Sequence, residues 1–105
     1  MFGAELPDIA ALAKNAGDAD REFLRLSIMA ELDAINLYEQ IAGLTKNEDI
    51  RKVMLDVARE EKTHMGEFQT MLLLLDGEQT EELEKGALEV EEITGRRFSP
   101  HKTGR

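Results

Sequence analysis

The stretch ADREFLRLSIMAELDAINLYEQIAG, residues 19–43, decides the fold. Its apolar residues recur at the spacing of an α-helix that buries one side. The stripe is wider than a single seam, so the helix is predicted to be buried on more than one side. Its members are Phe23, Leu26, Ala30, Ala34, Leu37, Tyr38 and Ile41, widened by Leu24, Ile28, Leu32 and Ile35.

A second long helix is predicted at 47–75. Thr45 and Glu48 have the spacing of a capping box, which satisfies the free amide groups at the start of a helix. The apolar stripe of this helix comprises Ile50, Met54, Val57, Ala58, Met65, Phe68, Met71, Leu72 and Leu75. Because only a short turn separates the two helices, they are predicted to form an antiparallel hairpin. Each helix would span about 35 to 40 Å.

Shorter segments flank this hairpin. A short helix is predicted at 7–16, and a third helix at 79–94 is predicted to face inward through Leu83, Ala87, Leu88, Val90 and Ile93. Residues 1–95 are therefore predicted to form one helical domain. Residues 96–105 contain four basic side chains, one Pro and one Gly but no acidic side chain. Such a composition predicts a flexible basic tail.

The composition excludes several classes of function. The formal charge is −9, with 22 acidic and 13 basic side chains, which argues against nucleic acid as a partner and favours a surface that attracts cations. Cysteine is absent, so disulfides, thiolate zinc sites and iron–sulfur clusters are excluded. No stretch approaches the roughly 20 apolar residues of a membrane span, and the N-terminus lacks the layout of a signal peptide. We expect a cytoplasmic protein.

Three polar residues interrupt the apolar stripes. Glu31 lies among Ile28, Ala34 and Ile35 of the first helix, where an unpaired carboxylate is costly. Glu61 and His64 lie on the stripe of the second helix at spacing i, i+3, so their side chains leave the same face one turn apart. Carboxylates and imidazole are ligands that suit iron, so the pattern predicts a metal site.

A di-iron site in a helix bundle needs a Glu from each of two helices and a Glu-x-x-His pair from each of the other two. One copy of this chain supplies one lone Glu and one such pair. Two copies would supply the whole set, and two hairpins together would bury their apolar faces in a four-helix bundle. The sequence therefore predicts a homodimer with a di-iron site shared between chains.

Structural explanations for these residues stay open. Glu31 is also compatible with a buried carboxylate that pairs with Arg or Lys across an interface, and His64 with a core histidine whose hydrogen bonds are satisfied. Tyr38 is compatible with a core residue that hydrogen-bonds a metal ligand, or with a redox centre. Asp33 lies away from the Glu31 face, where it is solvated or helps cations to approach.

Two runs, MAELDAINLYEQ at 29–40 and REEKTH at 59–64, resemble the encapsulated ferritins, which are held inside encapsulin shells. The resemblance implies a ferritin-like hairpin plus a C-terminal helix, a ferroxidase site shared by two chains, and a ring of dimers, commonly a decamer. It assigns Glu31, Glu61 and His64 to the iron ligands and Tyr38 to the neighbouring tyrosine. Asp33 matches an acid of the iron-access site, whereas Ala30 stands where a second acid is common.

The resemblance also implies a function, a cofactor and a location. The chain would oxidise Fe(II) with O₂ at a di-iron centre and supply iron for storage in an encapsulin nanocompartment, with the shell protein as its partner. Calcium and zinc are alternative occupants of the site, for example in crystals. Two other functions stay open: a rubrerythrin-like peroxidase, and a helical assembly in which the metal has only a structural role. The tail at 96–105 does not resemble the apolar targeting peptide of many members.

Overall fold

The computed structural model describes residues 19–99, which fold into three α-helices. These are α1 (Ala19–Leu44), α2 (Glu48–Leu75) and α3 (Gly77–Thr94). The predicted all-α fold is confirmed, and each helix begins and ends within two residues of the bounds predicted from the sequence. None of the three helices combines the length and the apolar character that crossing a membrane requires. The predicted short helix at 7–16 and the tail beyond residue 99 lie outside the described residues.

Helices α1 and α2 pack against each other as a hairpin with a thin core. The buried apolar side chains of the described residues are Ala19, Ile35, Ala42, Ala58 and Leu72. Large apolar side chains remain exposed on both helices, among them Met29, Leu32, Val53, Met71 and Leu74. Exposed apolar surface on this scale is typical of an interaction surface, because a soluble protein gains free energy by covering it.

The turn between α1 and α2 differs from the sequence-based expectation. The Asn47 carboxamide oxygen accepts a hydrogen bond from the Ile50 amide at 3.1 Å, and the Thr45 hydroxyl oxygen accepts one from the Asn47 amide at 3.1 Å. Asn47 is therefore the N-cap of α2, and the predicted capping box of Thr45 and Glu48 is wrong. The physical reason is that an Asn next to the helix start reaches the free amide three residues later.

Helix α3 belongs to a second compact unit, which starts at Asp76, whereas the hairpin belongs to the unit that ends at Leu75. The predicted single domain at 1–95 stays a prediction. The Asp76 side chain caps α3 by accepting a hydrogen bond from the Gln79 amide at 3.1 Å. Gly95 follows the last residue of α3 as its C-cap, with a φ of 75°, and donates its amide to the Glu91 carbonyl oxygen at 2.7 Å.

The apolar side of α3 is not buried within its own unit. The five residues predicted to face inward are exposed, namely Leu83, Ala87, Leu88, Val90 and Ile93. Among its described residues this unit contains no second helix that would cover them. The prediction that they face inward is therefore wrong for the isolated unit.

Candidate metal centre

Helix α1 places Glu31 on the side that packs against α2. The helical spacing puts Glu31 next to Ile35, whose side chain is buried, and the Glu31 side chain keeps only 14% of its surface exposed. One turn earlier, the Ser27 hydroxyl donates to the Phe23 carbonyl oxygen at 2.8 Å and is thus satisfied by its own helix. Glu31 is therefore a carboxylate held in a largely apolar setting.

Helix α2 supplies the other two members of the group. Glu61 follows the buried Ala58 by three residues, and its side chain is 19% exposed. His64 follows Glu61 by three residues, and its side chain is 46% exposed. The helical spacing of three residues points both side chains toward Glu31, with His64 at the open edge of the hairpin.

The structure brings these three residues together. His64 Nδ1 lies 3.3 Å from Glu31 Oε2 and 3.7 Å from Glu61 Oε2. One potential ligand atom from each residue lies within 4.8 Å of the other two. Two carboxylate oxygens and one imidazole nitrogen form a donor set that suits Fe(II) and other divalent first-row metals.

The electrostatics of the group reflect its burial. Burial raises the pKa of the Glu31 carboxyl, a hydrogen bond with Glu61 and charge repulsion from Glu61 raise it further, and His64 opposes the increase. A divalent cation between the two carboxylates would replace this repulsion with attraction. The donor set therefore fits a metal ion.

Two observations bear on how the group would be completed. Among the residues 19–99 that the structure describes, no ion pair joins Glu31 to a Lys or Arg side chain, and the alternative of a pair across an interface stays open. Three side chains cannot fill the coordination positions of two iron ions, so a di-iron site would need further ligands. The His64 side chain is half-exposed, and further ligands would reach the group from that side. The roles of Glu31, Glu61 and His64 as metal ligands stay a prediction.

The structure does not bring the remaining candidates into this group. Tyr38 is half-buried on α1, two turns after Glu31 and on the same side of the helix. Asp33 is half-buried as well, but two residues of helix turn it about 200° away from Glu31. The proposed parts of Tyr38 in the site and of Asp33 in iron access stay predictions.

The structure shows one ion pair next to the candidate site that could not be predicted from the spacing of residues in the sequence. The Lys62 ammonium group lies 2.9 Å from Glu39 Oε2, which joins α2 to α1 across 23 residues of sequence. Both side chains are exposed, so the pair is worth about 0 to 1 kcal/mol. A search for chemistry-bearing spacings overlooks such a pair because only the hairpin geometry brings the two side chains together.

Comparisons with known proteins agree with this architecture. Residues 22–97 match the family model described as Rubrerythrin. A ferritin-like–encapsulin shell fusion protein of Pyrococcus furiosus is 62% identical over 74 residues, and the encapsulin nanocompartment cargo protein EncC of Myxococcus xanthus is 45% identical over 56 residues. The crystal structure of the encapsulated ferritin domain from Pyrococcus furiosus matches with a TM-score of 0.74 and 49% identity, covering 91% of each chain.

The aligned part is less than half of the length of each of the two curated relatives. The match covers 70% of this chain but 21% of the fusion protein, and 53% of this chain but 43% of EncC. Activities and partners of those whole proteins are therefore not carried over by the alignment itself.

Proposed function

The chain belongs to the rubrerythrin family and resembles its encapsulated ferritin-like members, and from this premise we propose that it is a ferroxidase that works at a site shared between two copies. The observation that carries the proposal is the cluster of Glu31, Glu61 and His64. The cluster would provide half of the donor set of a di-iron site, and its side chains lie on a hairpin with uncovered apolar surface. A second copy would supply the other half and cover that surface.

Each member of the cluster has its own part in the proposed reaction. Glu31 and Glu61 provide negative charge that attracts Fe(II) and offsets the charge of Fe(III). The neutral imidazole of His64 binds Fe(II) without adding charge. Fe(II) is the substrate: two bound ions would together give two electrons to one O₂, which takes up two protons from solvent and leaves as H₂O₂. Because the protein ligands leave coordination positions open, O₂ has access to the metal.

A second candidate is a rubrerythrin-like peroxidase, which the match to the Rubrerythrin family model favours. The absence of cysteine argues against it, because rubrerythrins usually deliver electrons through a cysteine-bound iron. The third candidate is a metal site with only a structural role. The three differ in how the Fe(II)-loaded protein responds to oxidants.

Stopped-flow absorbance of the anaerobically Fe(II)-loaded protein separates these candidates. A ferroxidase oxidises iron rapidly on mixing with O₂, a peroxidase responds much faster to H₂O₂ than to O₂, and a structural site responds to neither. Glu31→Ala, Glu61→Ala and His64→Ala are each expected to abolish the rapid O₂ phase while the helix content stays unchanged. Asp49→Ala is the matched control, since Asp49 is an exposed acid in the first turn of α2, about three turns before Glu61. Unchanged oxidation by Glu31→Ala would remove that residue from the site.

The proposed partner is an encapsulin shell, inside which the oxidised iron would be stored. The support is that the relatives are named as an encapsulin cargo protein and as a fusion with the shell protein. Co-expression of the chain with the shell protein of its own host tests this. Copurification of the chain inside assembled shells, protected from added protease, is the expected result, and digestion at the rate of the free chain would contradict it.

A further inference from the structure

The chain turns back after α3 and forms a cavity with the side of its own helix. Gly95, in the left-handed conformation that commonly ends a helix, begins this turn. Arg97 Nε then lies 3.3 Å from each of the two carboxylate oxygens of Glu91, about one turn before Gly95. Arg97 and Phe98 therefore lie beside α3 and not beyond its end. An open cavity of about 340 Å³ lies between this segment and the helix, and its lining comprises Glu84, Ala87, Leu88, Glu91, Arg97 and Phe98.

One side of α3 borders this cavity, and we call it the acidic side. Its members are three or four residues apart, so their side chains form a stripe along the helix. Within the cavity, Leu88 is 58% exposed and Phe98 is 76% exposed, so apolar surface there remains uncovered. The acidic side comprises Glu81, Glu84, Leu88 and Glu91.

The acidic side carries more negative charge than nearby cations offset. Lys85 lies 3.0 Å from Glu82, which is on another side of the helix, and 3.6 Å from Glu81. The Glu84 side chain borders the cavity, and no ion pair or hydrogen bond holds it within residues 19–99. Such a surface attracts opposite charge, so the favoured occupant of the cavity is cationic.

The sequence that follows the cavity has the required charge and length. Residues 100–105, PHKTGR, contain one lysine and one arginine but no acidic side chain, whereas α3 contains seven glutamates and one lysine. Lys102 is four residues beyond Phe98, so an extended chain can carry it up to about 14 Å from that residue. Glu81 lies about 5 Å along the helix axis from Glu84, which borders the cavity. Both carboxylates are therefore within reach of the Lys102 ammonium group.

We propose that residues 100–105 dock on the acidic side of α3 of their own chain. Lys102 then pairs with Glu81 or Glu84. The chain's own segment is favoured over a foreign one, because Phe98 already lines the cavity and a short tether gives an effective concentration on the order of millimolar. The docked segment covers the apolar floor of the cavity and thereby closes it to other proteins. The contact involves none of the three candidate metal ligands, so it does not rest on the proposed function.

Carbodiimide crosslinking tests this contact, because the reagent condenses an amine with a carboxylate only where the two groups touch. The 105-residue chain is treated without metal at low ionic strength and at several chain concentrations, and linked peptides are identified by mass spectrometry. Lys102 is the only lysine after α3, so its links are unambiguous. The expected links join Lys102 to Glu81 and to Glu84, with a yield that does not change with chain concentration.

Other carboxylates of the helix and isotope labels provide the controls. Glu82 and Glu89 lie on other sides of α3 and should give little product with Lys102. In a mixture of isotope-labelled and unlabelled chains, each link should join two peptides with the same label. Links to Glu82 and Glu89 as frequent as those to the acidic side would overturn the proposal. Links that combine the two labels at random would also overturn it, because they would place the segment on another copy.

The two neighbouring arginines provide a matched pair of variants. Arg97→Gln removes the contact with Glu91 that holds the chain beside α3, so the yield of the Lys102 links should fall about two- to fivefold, as expected for the loss of an exposed ion pair. Arg96→Gln removes the same charge from a side chain that has no ion pair within residues 19–99, and its yield should stay near that of the wild type. Added salt should lower the wild-type yield, since screening weakens exposed pairs. Equal yields for the two variants, or a yield that does not respond to salt, would contradict the docking.

Discussion

At the scale of single residues, Glu31 has a carboxyl group whose charged form is disfavoured in the folded chain. Its carboxyl group is largely buried and faces a second carboxylate, and both effects raise its pKa. A residue in such a position destabilises the metal-free fold unless it gains from binding something. The free energy that Glu31 costs in folding is therefore consistent with selection for a bound cation rather than for stability.

This cost predicts the pH dependence of stability in the metal-free protein. Because the pKa of Glu31 is raised on folding, the folded state holds the proton more tightly, and stability decreases as the pH rises from the ordinary carboxyl pKa through the raised one. Glu31→Gln removes this charge. We expect the variant to be more stable than the wild type at pH 7 by on the order of 1 kcal/mol, and equally stable near pH 4.

Thermal melts with a chelator at a series of pH values measure this difference. Glu60→Gln is the control, because its side chain is exposed. A constant difference between wild type and Glu31→Gln from pH 4 to pH 7 would show that burial of the Glu31 charge is not the cause.

Asp33 predicts a separate effect, on the rate of iron uptake. It points away from Glu31 and cannot share the site of its own hairpin, but in an assembly it would gather hydrated cations before they bind. Asp33→Asn should slow uptake at low salt with the same number of irons bound per dimer, and the difference should fade as ionic strength rises because screening acts over about 10 Å at 0.1 M. With Ala30 beside Glu31 instead of a second acid, the effect is expected to be small.

Stopped-flow uptake across a salt series tests this, with Asp20→Asn as the control, since Asp20 is an exposed acid in the first turn of α1. Equal rates for Asp33→Asn and the wild type at every salt concentration would return Asp33 to the solvated surface.

At the scale of helices, the sequence predicted what periodic patterns encode and failed on single side chains at the ends. The long stripes of α1 and α2 are repeated over many turns, so their extents were predictable. The N-cap of α2 was not, because Thr45 and Asn47 are both good capping residues and only the backbone path selects Asn47. Asp76, the residue after the predicted end of α2 at 75, is also the N-cap of α3, which the sequence predicted to begin only at 79.

The cap of α3 supports a prediction about that helix alone. Asp76→Ala removes the oxygen that accepts from the Gln79 amide and should destabilise the start of α3 by about 1 kcal/mol. Asp76→Asn is the matched control because Asn caps as well as Asp. Hydrogen exchange of the first-turn amides of α3 is expected to accelerate about fivefold in Asp76→Ala and to stay near the wild-type rate in Asp76→Asn. Equal exchange in both variants would mean that other contacts hold this helix end.

At the scale of the whole molecule, the sequence predicted which side chains meet but not what covers them. Glu31, Glu61 and His64 were predictable as a group because each falls on an apolar stripe at helical spacing. The exposure of α3 was not, because a stripe shows that a face is covered and not whether the same chain covers it. Which surface covers this face depends on how chains assemble, and residue spacing in the sequence does not describe that.

The oligomeric state of the chain is expected to depend on iron. The metal-free chain is expected to be partly monomeric, and Fe(II) is expected to drive dimers and larger rings, because each metal would be held by ligands from two chains. Analytical ultracentrifugation with and without anaerobic Fe(II) measures this shift. Glu61→Ala is the control and should show no iron-dependent change. A wild-type chain that stays monomeric with iron bound would refute the shared site.

The three-donor cluster on a single hairpin also affects the reaction order. If two copies must meet to complete a site, the number of working sites in a dilute solution rises with the square of the chain concentration. Specific activity would then fall on dilution, unlike that of an enzyme with a complete site in each chain. A container that holds many copies replaces bulk concentration with a much higher effective one, which keeps the sites assembled. Confinement would thereby restrict iron oxidation to the compartment where its product can be stored.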